Sequence, residues 1–429
     1  GNHRDEPIAK NQSEAEKNLS EITDVFLHHS REIFQRVDDS VCALADYGYI
    51  LFRRARGYAP YPVALKNDNQ EEIFAAGANL KSSLLFYKSG FAFLSQYIGD
   101  LDNIETEQMY EEVHNNMKSL FNINPSAAIV DYHSQYRSTV FAENKYKKIY
   151  KVQHHTAHFA SCLAENSYYD NAVGIVMDGF GLGADNKAWG GEIFVKEKNI
   201  ITRYAHIENY IQPGLDSAAK NPVRMVISYL YTENLLDKIM DKFTYSGYTC
   251  EQEVSLIKMA VDNRINSIET SAAGRLFESA GSLVLNKRSN EYEGELAVLF
   301  ENYACKDIKE SYNFLYEDNK IKLSKVFEEM VDDILNNQDI KIISSKFHNG
   351  FANVIYDICV DIRNKFGITA AALSGGVMQI IFLSSKIFIM LTKDGFIVLT
   401  HKKVPANDAG IALGQLYCCL NNIILKSVE

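Results

Sequence analysis

Two histidines four residues apart, just before a glycine-rich segment, constrain this chain more than any other feature. His154 and His158 lie among apolar residues spaced as on a helix, so both imidazoles fall on one face, about one turn apart. Two imidazoles with this spacing suit a single metal ion. The same spacing also occurs among ordinary surface and core histidines, so the pair alone leaves both interpretations open.

A glycine-rich segment follows the histidine pair. Residues 171–177 form a short apolar run that predicts a buried strand, and the strand is expected to end at Asp178. Gly179, Gly181 and Gly183 alternate after this carboxylate. Such a pattern either brings backbone amides close to a phosphate and leaves the carboxylate for a cation, or it forms a hairpin turn. Together with the histidines, the segment favours a functional site.

The composition argues against several functional classes. Lysine and arginine number 44 and the acidic residues 55, a net charge of −11 that disfavours a nucleic-acid partner. No apolar run reaches the roughly 18–20 residues that cross a membrane, and the first residues do not resemble a signal peptide. The 7 cysteines form no CxxC pair, which predicts free thiols in a cytoplasmic protein. The chain begins with glycine rather than methionine, as expected of a fragment or a processed chain.

The C-terminal third contains a second glycine turn and a further acidic residue. A strand predicted at residues 369–373 leads into Ser374, Gly375 and Gly376 and then a helix. This arrangement presents backbone amides at a helix N-terminus and favours a nucleotide. Asp408 stands at a predicted helix start, where its carboxylate is either a helix cap or a metal ligand.

Clustered arginines near the N-terminus form another candidate site. Arg53, Arg54 and Arg56 lie beside a glycine and a proline, where forked guanidinium donors suit a phosphate. The alternative is a solvated basic loop. A further group either contacts a ribose or phosphate or caps and braces a helix, and it comprises Ser271, Arg275 and Glu278.

The strings VQHHTAHFASCLAE and DGFGLGADNKAWGGE resemble the transferase module of the HypF family, the carbamoyltransferases of hydrogenase maturation. That module is similar to the universal tRNA threonylcarbamoyl-transferase and has an actin-like fold of the ASKHA type with two lobes. Further segments match in family order, among them RVDDSV, RRARGYAP and GANLKSS. The expected fold is therefore α/β: an actin-like, two-lobed transferase module preceded by a partial α+β YrdC-like domain.

The resemblance also implies a domain order. Residues 1–62 correspond to the C-terminal end of a YrdC-like adenylate-forming domain, and residues 66–429 to the actin-like module, with a helical insertion at about 213–345. The remainder of the YrdC-like domain, the acylphosphatase domain and the zinc-finger pairs are expected to precede residue 1. A YrdC-like end before the transferase module is the arrangement found in hydrogenase maturation.

The function implied by the resemblance is carbamoyl transfer. The family makes carbamoyl-adenylate from carbamoyl phosphate and ATP, and transfers the carbamoyl group to the C-terminal cysteine of a partner protein, HypE. One metal ion, iron or zinc, is expected on His154, His158 and Asp408, and catalytic roles fall to the two histidines and Asp178. The residues expected to bind the nucleotide and its phosphates are Gly179, Gly181, Gly183, Ser374, Gly375, Gly376, Arg53, Arg54 and Arg56.

Among the departures from the family pattern, three bear on nucleotide binding. Phe180 stands where a small hydroxyl residue is common, Leu215 replaces a glycine, and Ile380 replaces a polar residue. Phe180 is expected to crowd the nucleotide phosphates. Two alternative functions follow: a truncated or decayed copy that acts only as a binding protein, or threonylcarbamoyl transfer to tRNA. The net charge and the YrdC-like end argue against the tRNA alternative.

Overall fold

A computed structural model of the protein describes residues 7–67 and 69–426. In chain order the helices are α1 (Gln12–Leu19), α2 (Ile104–Leu120), α3 (Arg137–Lys145), α4 (His154–Glu165), α5 (Asp216–Lys220), α6 (Val223–Thr232), α7 (Leu236–Ser246), α8 (Glu251–Asn263), α9 (Ala273–Leu285), α10 (Glu295–Glu301), α11 (Ser324–Leu335), α12 (Ile340–Phe366), α13 (Ile381–Lys393) and α14 (Ile411–Leu420). The strands are β1 (Val41–Ala45), β2 (Gly48–Arg53), β3 (Val63–Ala64), β4 (Ile73–Ala75), β5 (Leu85–Lys88), β6 (Phe91–Leu94), β7 (Ala127–Asp131), β8 (Ile149–Val152), β9 (Ala172–Leu182), β10 (Ala188–Glu197), β11 (Ile200–Ile207), β12 (Tyr210–Pro213), β13 (Ser267–Thr270), β14 (Leu315–Glu317), β15 (Lys320–Lys322), β16 (Ala370–Ser374), β17 (Ile397–Leu399) and β18 (Ile424–Leu425). Short 3-10 helices cover Gly376–Gln379 and Asp408–Gly410.

The chain divides into two compact units. Unit 1 comprises the described residues of Gly1–Leu44, Gly48–Tyr169 and Thr400–Ile424, and unit 2 those of Ala45–Tyr47, Asp170–Leu399 and Leu425–Glu429. The C-terminal helix α14 therefore belongs to the same unit as α4. The predicted domain limits at residues 62 and 66 stay a prediction, and residues 1–6 and 427–429 of the two predicted domains lie outside the described residues.

Unit 1 is built on a six-stranded sheet in the order β3-β6-β5-β4-β7-β8. The first four of these strands pair antiparallel, whereas β4, β7 and β8 run parallel. Phe74 lies between Phe86 and Ala128 in register, and all three side chains are buried in one core cluster with Val113 of α2. Helix α2 follows the three short strands β4 to β6 and leads into the buried strand β7.

Two helices of unit 1, α4 and α14, pack with their backbones in close contact. A Cβ added at Gly414 of α14 would lie 1.7 Å from the carbonyl oxygen of Ala157 in α4. Nearby, the Ser161 hydroxyl donates to the carbonyl of Gly410 at 2.8 Å. Only glycine permits this approach, so the α4–α14 contact is set at the level of the backbone.

Unit 2 contains a ten-stranded mixed sheet whose main path is β14-β15-β11-β10-β9-β16-β17. Strand β9 lies at its centre, antiparallel to β10 and parallel to β16. Its side chains Val173, Ile175 and Met177 are fully buried in a core cluster shared with helices α6, α9, α12 and α13. The α/β fold class predicted from the sequence is confirmed in both units.

Strand β9 does not end at Asp178 as the sequence predicted; it continues to Leu182. In the pairing of β9 with β10, Gly181 lies opposite Trp189 and Met177 lies opposite Gly191. The three β9 residues 178–180 therefore form a bulge opposite a single residue of β10. Bulges re-aim side chains and recur beside active sites. The glycines kept the strand from being recognised, because its pairing depends on β10 rather than on local apolar pattern.

The stretch from residue 213 to 345 is mixed rather than only helical. It holds α5 to α11, but also the strands β13, β14 and β15. Strand β13 pairs antiparallel with β12 and touches β10 through a single parallel pair. Its sequence SIET is short and three of its four residues are polar, so the strand is stabilised by these partners and gives almost no local signal. Across the described residues, no helix combines the length and apolar character that crossing a membrane requires.

Leu215 adopts a backbone conformation that is normally reserved for glycine, with φ 49° and ψ −120°. A strained residue of this kind costs about 1–3 kcal/mol. We expect Leu215→Gly to raise the free energy of unfolding by about 1 kcal/mol, since relief of strain outweighs the added freedom of the unfolded chain. Urea unfolding measures the change. Leu215→Ala keeps the strain and serves as the control; equal stability gains in both variants would contradict the strain argument.

Candidate metal and nucleotide sites

Helix α4 carries the histidine pair at its first turn. The Gln153 side chain caps it by accepting from the amide of Thr156 at 2.9 Å, which starts the helix at His154. His154 and His158 are both buried, and their ring centroids lie 5.0 Å apart. His155 instead contacts the Gln153 side-chain nitrogen through Nδ1 at 3.1 Å. The helix therefore presents the two predicted histidines together.

Asp408 joins this pair within unit 1. Its Oδ1 lies 3.4 Å from Nε2 of His158 and 3.7 Å from Nε2 of His154. Ligand atoms about 2.1 Å from a tetrahedral metal lie about 3.4 Å from each other, so these separations fit a shared ion. One ligand atom of each residue lies within 4.8 Å of the others. Iron and zinc both accept two imidazoles and a carboxylate.

The helix is capped by the neighbouring Asn407, so Asp408 does not serve as the cap, which was its alternative role. Asn407 is the N-cap of the 3-10 helix that begins at Asp408, and its side-chain oxygen accepts from the amide of Ala409 at 3.1 Å. The Asn407 amide also donates to the carbonyl of Phe52 at 3.1 Å. With the cap supplied by Asn407, the Asp408 carboxylate is directed to the histidine rings.

Asp131 completes the arrangement and was not identified from the sequence. It ends strand β7, is fully buried, and its Oδ2 lies 2.9 Å from Nδ1 of His154. A carboxylate oxygen accepts, so Nδ1 carries the proton and Nε2 presents a lone pair, which is the tautomer that binds a metal. The only sequence signal was a carboxylate at the end of a buried strand.

We expect Asp131→Asn to weaken metal binding by about 10- to 100-fold, because the orientation and basicity of His154 depend on that carboxylate. Chelator competition gives the dissociation constant for the variant and the wild type. Asp102→Asn is a suitable control, since Asp102 accepts from the Asn79 amide within the same unit. Equal affinities for Asp131→Asn and wild type would mean that Asp131 has no part in the site.

In unit 2, the glycine turn after β16 meets Asp178. The amide of Gly376 donates to Asp178 Oδ1 at 2.9 Å. Gly375 has φ +95° and its added Cβ would lie 2.2 Å from the carbonyl oxygen of Met177, so no other residue fits there. Ser374, the last residue of β16, is fully buried. The structure thus brings the two predicted glycine segments together around one carboxylate.

Helix α9 begins beside the same carboxylate. A Cβ added at Gly274 would lie 2.8 Å from the Cα of Gly179, so the first turn of α9 rests directly on the bulge of β9. The N-cap residue, Ala272, has no side-chain hydrogen bond to the helix. An uncapped helix N-terminus favours an anion.

Arg275, on the first turn of α9, adds positive charge to this position. Its guanidinium pairs with Glu278 at 2.9 Å, while no described residue accepts a hydrogen bond from its Nε or Nη1. Nη2 would lie 3.7 Å from a Cβ added at Gly179. Burial raises the pKa of Glu278. Arg275 thus offers two buried donors beside the Asp178 bulge, which suits a phosphate.

A buried carboxylate supports the bulge from the β10 side. Oε1 of Glu192 accepts from the amides of Gly190 and Gly191, at 3.0 and 3.2 Å. The hydroxyl of Ser271 also donates to Glu192, at 2.5 Å, and Arg203 Nε does so at 2.5 Å. Ser271 therefore braces the bulge through Glu192, a role that the sequence did not predict.

The remaining predicted glycines belong to the β9–β10 hairpin. Gly181 pairs with Trp189, and a Cβ at Gly183 would overlap the Trp189 indole at 2.2 Å. The indole nitrogen donates to Asp185 at 2.8 Å. Gly183 therefore lies in the turn between β9 and β10, against the tryptophan ring.

The three arginines of the N-terminal segment have separate environments. Arg54 is buried and all five of its N–H groups donate to backbone carbonyls, those of Lys403, Leu94, Ser95, Tyr58 and Tyr61. The predicted phosphate-binding role of Arg54 is wrong, because the side chain retains no donor for a phosphate. Burial also lowers the pKa of Arg54 to about 10.

Arg53 and Arg56 keep the basic-loop alternative open. Arg53 pairs with Asp38 and lies over the Tyr97 ring, 5.5 Å from its centroid, at the edge of a cavity of about 170 Å³. Arg56 is exposed and lies 3.6 Å from Asp39. Their predicted contacts with phosphate stay a prediction.

Comparison with known proteins places both units in one family. Residues 174–415 match the model described as "Carbamoyltransferase, Kae1-like Domain, second subdomain", and residues 68–165 match the "HypF Kae1-like domain". A crystal structure of full-length HypF in the phosphate- and nucleotide-bound form covers 99% of this chain and 66% of that protein, with a TM-score of 0.92 and 34% identity. The predicted transferase module of the HypF family is confirmed by these matches.

Curated relatives give the same result over a longer alignment. The probable carbamoyltransferase HypF of Methanocaldococcus jannaschii is 33% identical over 416 residues, which are 95% of this chain and 54% of that protein. Carbamoyltransferase HypF of Synechocystis is 31% identical over 432 residues, covering 97% of this chain and 56% of the relative. The chain therefore spans about half the length of the curated relatives it matches.

Proposed function

Because the chain belongs to the HypF family of carbamoyltransferases, we propose that it transfers a carbamoyl group from carbamoyl-adenylate to the C-terminal cysteine of a HypE-like acceptor protein. Carbamoyl phosphate and ATP are the sources of the adenylate. The observation that carries this proposal is the convergence of two imidazoles and a carboxylate in unit 1, at His154, His158 and Asp408.

The unit 1 residues would hold one metal ion, iron or zinc, through Nε2 of His154 and His158 and the carboxylate of Asp408. Asp131 holds His154 in the tautomer that this role requires. When bound, the metal supplies a Lewis acid that polarises a carbonyl or phosphoryl oxygen.

The unit 2 residues bind the nucleotide phosphates. Arg275 supplies the donors Nε and Nη1, and the N-terminus of α9 adds its amides and dipole. Gly375 and Gly376 let the turn after β16 pack against Met177 and Asp178, and Asp178 holds this turn beside the phosphates by accepting from the amide of Gly376. The nucleotide named for the related HypF structure is consistent with this assignment.

The transfer step is an acyl substitution. The acceptor thiolate attacks the carbamoyl carbon and a carbon–sulfur bond forms. The bond from that carbon to the phosphate oxygen breaks, and AMP leaves with the electron pair. The donors of Arg275 stabilise the negative charge on the leaving phosphate, because charge-assisted hydrogen bonds are the strong ones.

The direct test supplies the metal-loaded protein with preformed carbamoyl-adenylate and a HypE-like acceptor. Mass spectrometry is expected to find one carbamoyl group at the terminal cysteine of the acceptor, with AMP released in equal amount. An acceptor whose terminal cysteine is replaced by serine is the control. Tight binding of the acceptor with no carbamoyl transfer would instead support the binding-only alternative.

Phe180 provides a separate prediction for nucleotide binding. It lies in the β9 bulge and is 39% exposed, so its ring is not part of the core. If the ring crowds the phosphates, Phe180→Thr is expected to bind ATP about tenfold or more tightly, since a hydrogen bond to a charged group contributes about 1.5–3 kcal/mol. Calorimetry measures the affinity, and Phe180→Leu separates loss of the ring from gain of the hydroxyl. Unchanged affinity in both variants would mean that the ring points away from the nucleotide.

A further inference from the structure

The last residue of α4, Glu165, binds a loop rather than solvent. Its side chain is buried, and its Oε2 accepts from three successive backbone amides, those of Lys402, Lys403 and Val404, at 3.1, 2.6 and 3.3 Å. Its other oxygen, Oε1, lies 2.5 Å from Nδ1 of His401. One carboxylate therefore contacts each residue from 401 to 404.

Further contacts hold the same loop at its two sides. Arg54 Nε donates to the carbonyl of Lys403 at 3.2 Å, and Lys403 Nζ donates to the carbonyl of Glu165 at 3.1 Å. The Asn166 amide donates to the carbonyl of Thr400 at 3.1 Å. The loop is thus attached at several points to the C-terminal end of α4.

Helix stability does not account for a glutamate at this position. A carboxylate at the C-terminal end of a helix is disfavoured, because that end carries the negative pole of the helix dipole. A buried carboxylate also loses its hydration. The three amides compensate for both effects at Glu165, so the interaction is directed at the loop.

This loop leads directly to the third proposed metal ligand. Residues 401–404 precede Asp408, while α4 carries His154 and His158. We infer that Glu165 is a positioning residue of the metal site, which fixes Asp408 relative to the two histidines on its own helix. The inference rests on the proposed metal site and adds to it a residue without contact to the ion.

The test measures metal affinity in variants that separate the charge of the side chain at position 165 from its length. Glu165→Asp keeps the charge but withdraws the carboxylate by one methylene, whereas Glu165→Gln keeps the length and an acceptor oxygen. Cobalt(II) serves as the probe, with affinity from chelator competition and site geometry from its ligand-field absorption bands. Tyr87→Phe, which removes buried hydroxyl contacts with the carbonyls of Asn67 and Asn69, is the control for general destabilisation.

We expect Glu165→Asp to bind cobalt about 10- to 100-fold more weakly, with altered absorption bands. Glu165→Gln should stay within a few-fold of wild type, and Tyr87→Phe should keep wild-type affinity. If the wild type and Glu165→Asp bind cobalt equally well and with the same absorption bands, the inference about Glu165 is overturned while the metal proposal stands. A wild type that binds no cobalt would overturn the metal proposal, and this inference with it.

Discussion

Replacing His158 with alanine is expected to remove the metal ion from this protein. Its Nε2 lies 3.4 Å from Asp408, the shorter of the two distances that join an imidazole to this carboxylate. Without that ring, one imidazole and one carboxylate remain in unit 1, and a pair of protein ligands binds iron or zinc far more weakly than three do. Elemental analysis after dialysis should find about one ion per wild-type chain and almost none in His158→Ala.

His155→Gln is the matched control for this experiment. His155 is also buried on α4, but it contacts Gln153 rather than Asp408. Adjacent residues of a helix point about 100° apart, so loss of this ring should leave the metal content unchanged. Equal metal content in wild type and His158→Ala would refute the proposed ligand set. Loss of metal in His155→Gln would show that the helix as a whole, rather than one face, holds the ion.

Replacing Gly414 with alanine is expected to destabilise unit 1 by about 3 kcal/mol or more. The new Cβ would lie 1.7 Å from the carbonyl oxygen of Ala157 and 2.8 Å from the amide nitrogen of Ser161. Both neighbours are backbone atoms of α4, which cannot turn aside as a flexible side chain does. Overpacking of this kind typically costs 1–3 kcal/mol and sometimes more. Denaturant unfolding followed by circular dichroism measures the change.

The same substitution should also weaken metal binding. Helix α14 follows Asp408 after a single short turn, and α4 carries the histidines, so separating the two helices moves the ligands apart. Gly367→Ala is the control: its φ is +71° and nothing lies within 4 Å of an added Cβ, so only the backbone cost of about 1 kcal/mol applies. If Gly414→Ala proves no more destabilising than Gly367→Ala, the close contact of the helices is not a source of stability.

The sequence alone determined the local elements that carry the chemistry. Helical spacing put His154 and His158 on one face, and the strand before Ser374 led into the glycine turn as predicted. These features depend on periodicity and on glycine geometry, both of which are local properties of the chain. The order of motifs also indicated the family, which the comparisons then confirmed.

Only the tertiary structure decided how the side chains are used. Asp408 and Asp131 reach α4 from distant parts of the chain, Arg54 gives every donor to backbone carbonyls, and residues 178–180 bulge because β10 pairs around them. A residue's type states which hydrogen bonds it can form, but the partner is set by long-range packing that no local pattern records. For that reason the sequence allowed a phosphate site at Arg53, Arg54 and Arg56. In the structure, Arg54 instead donates to the carbonyl of Lys403 and supports the loop that leads to Asp408.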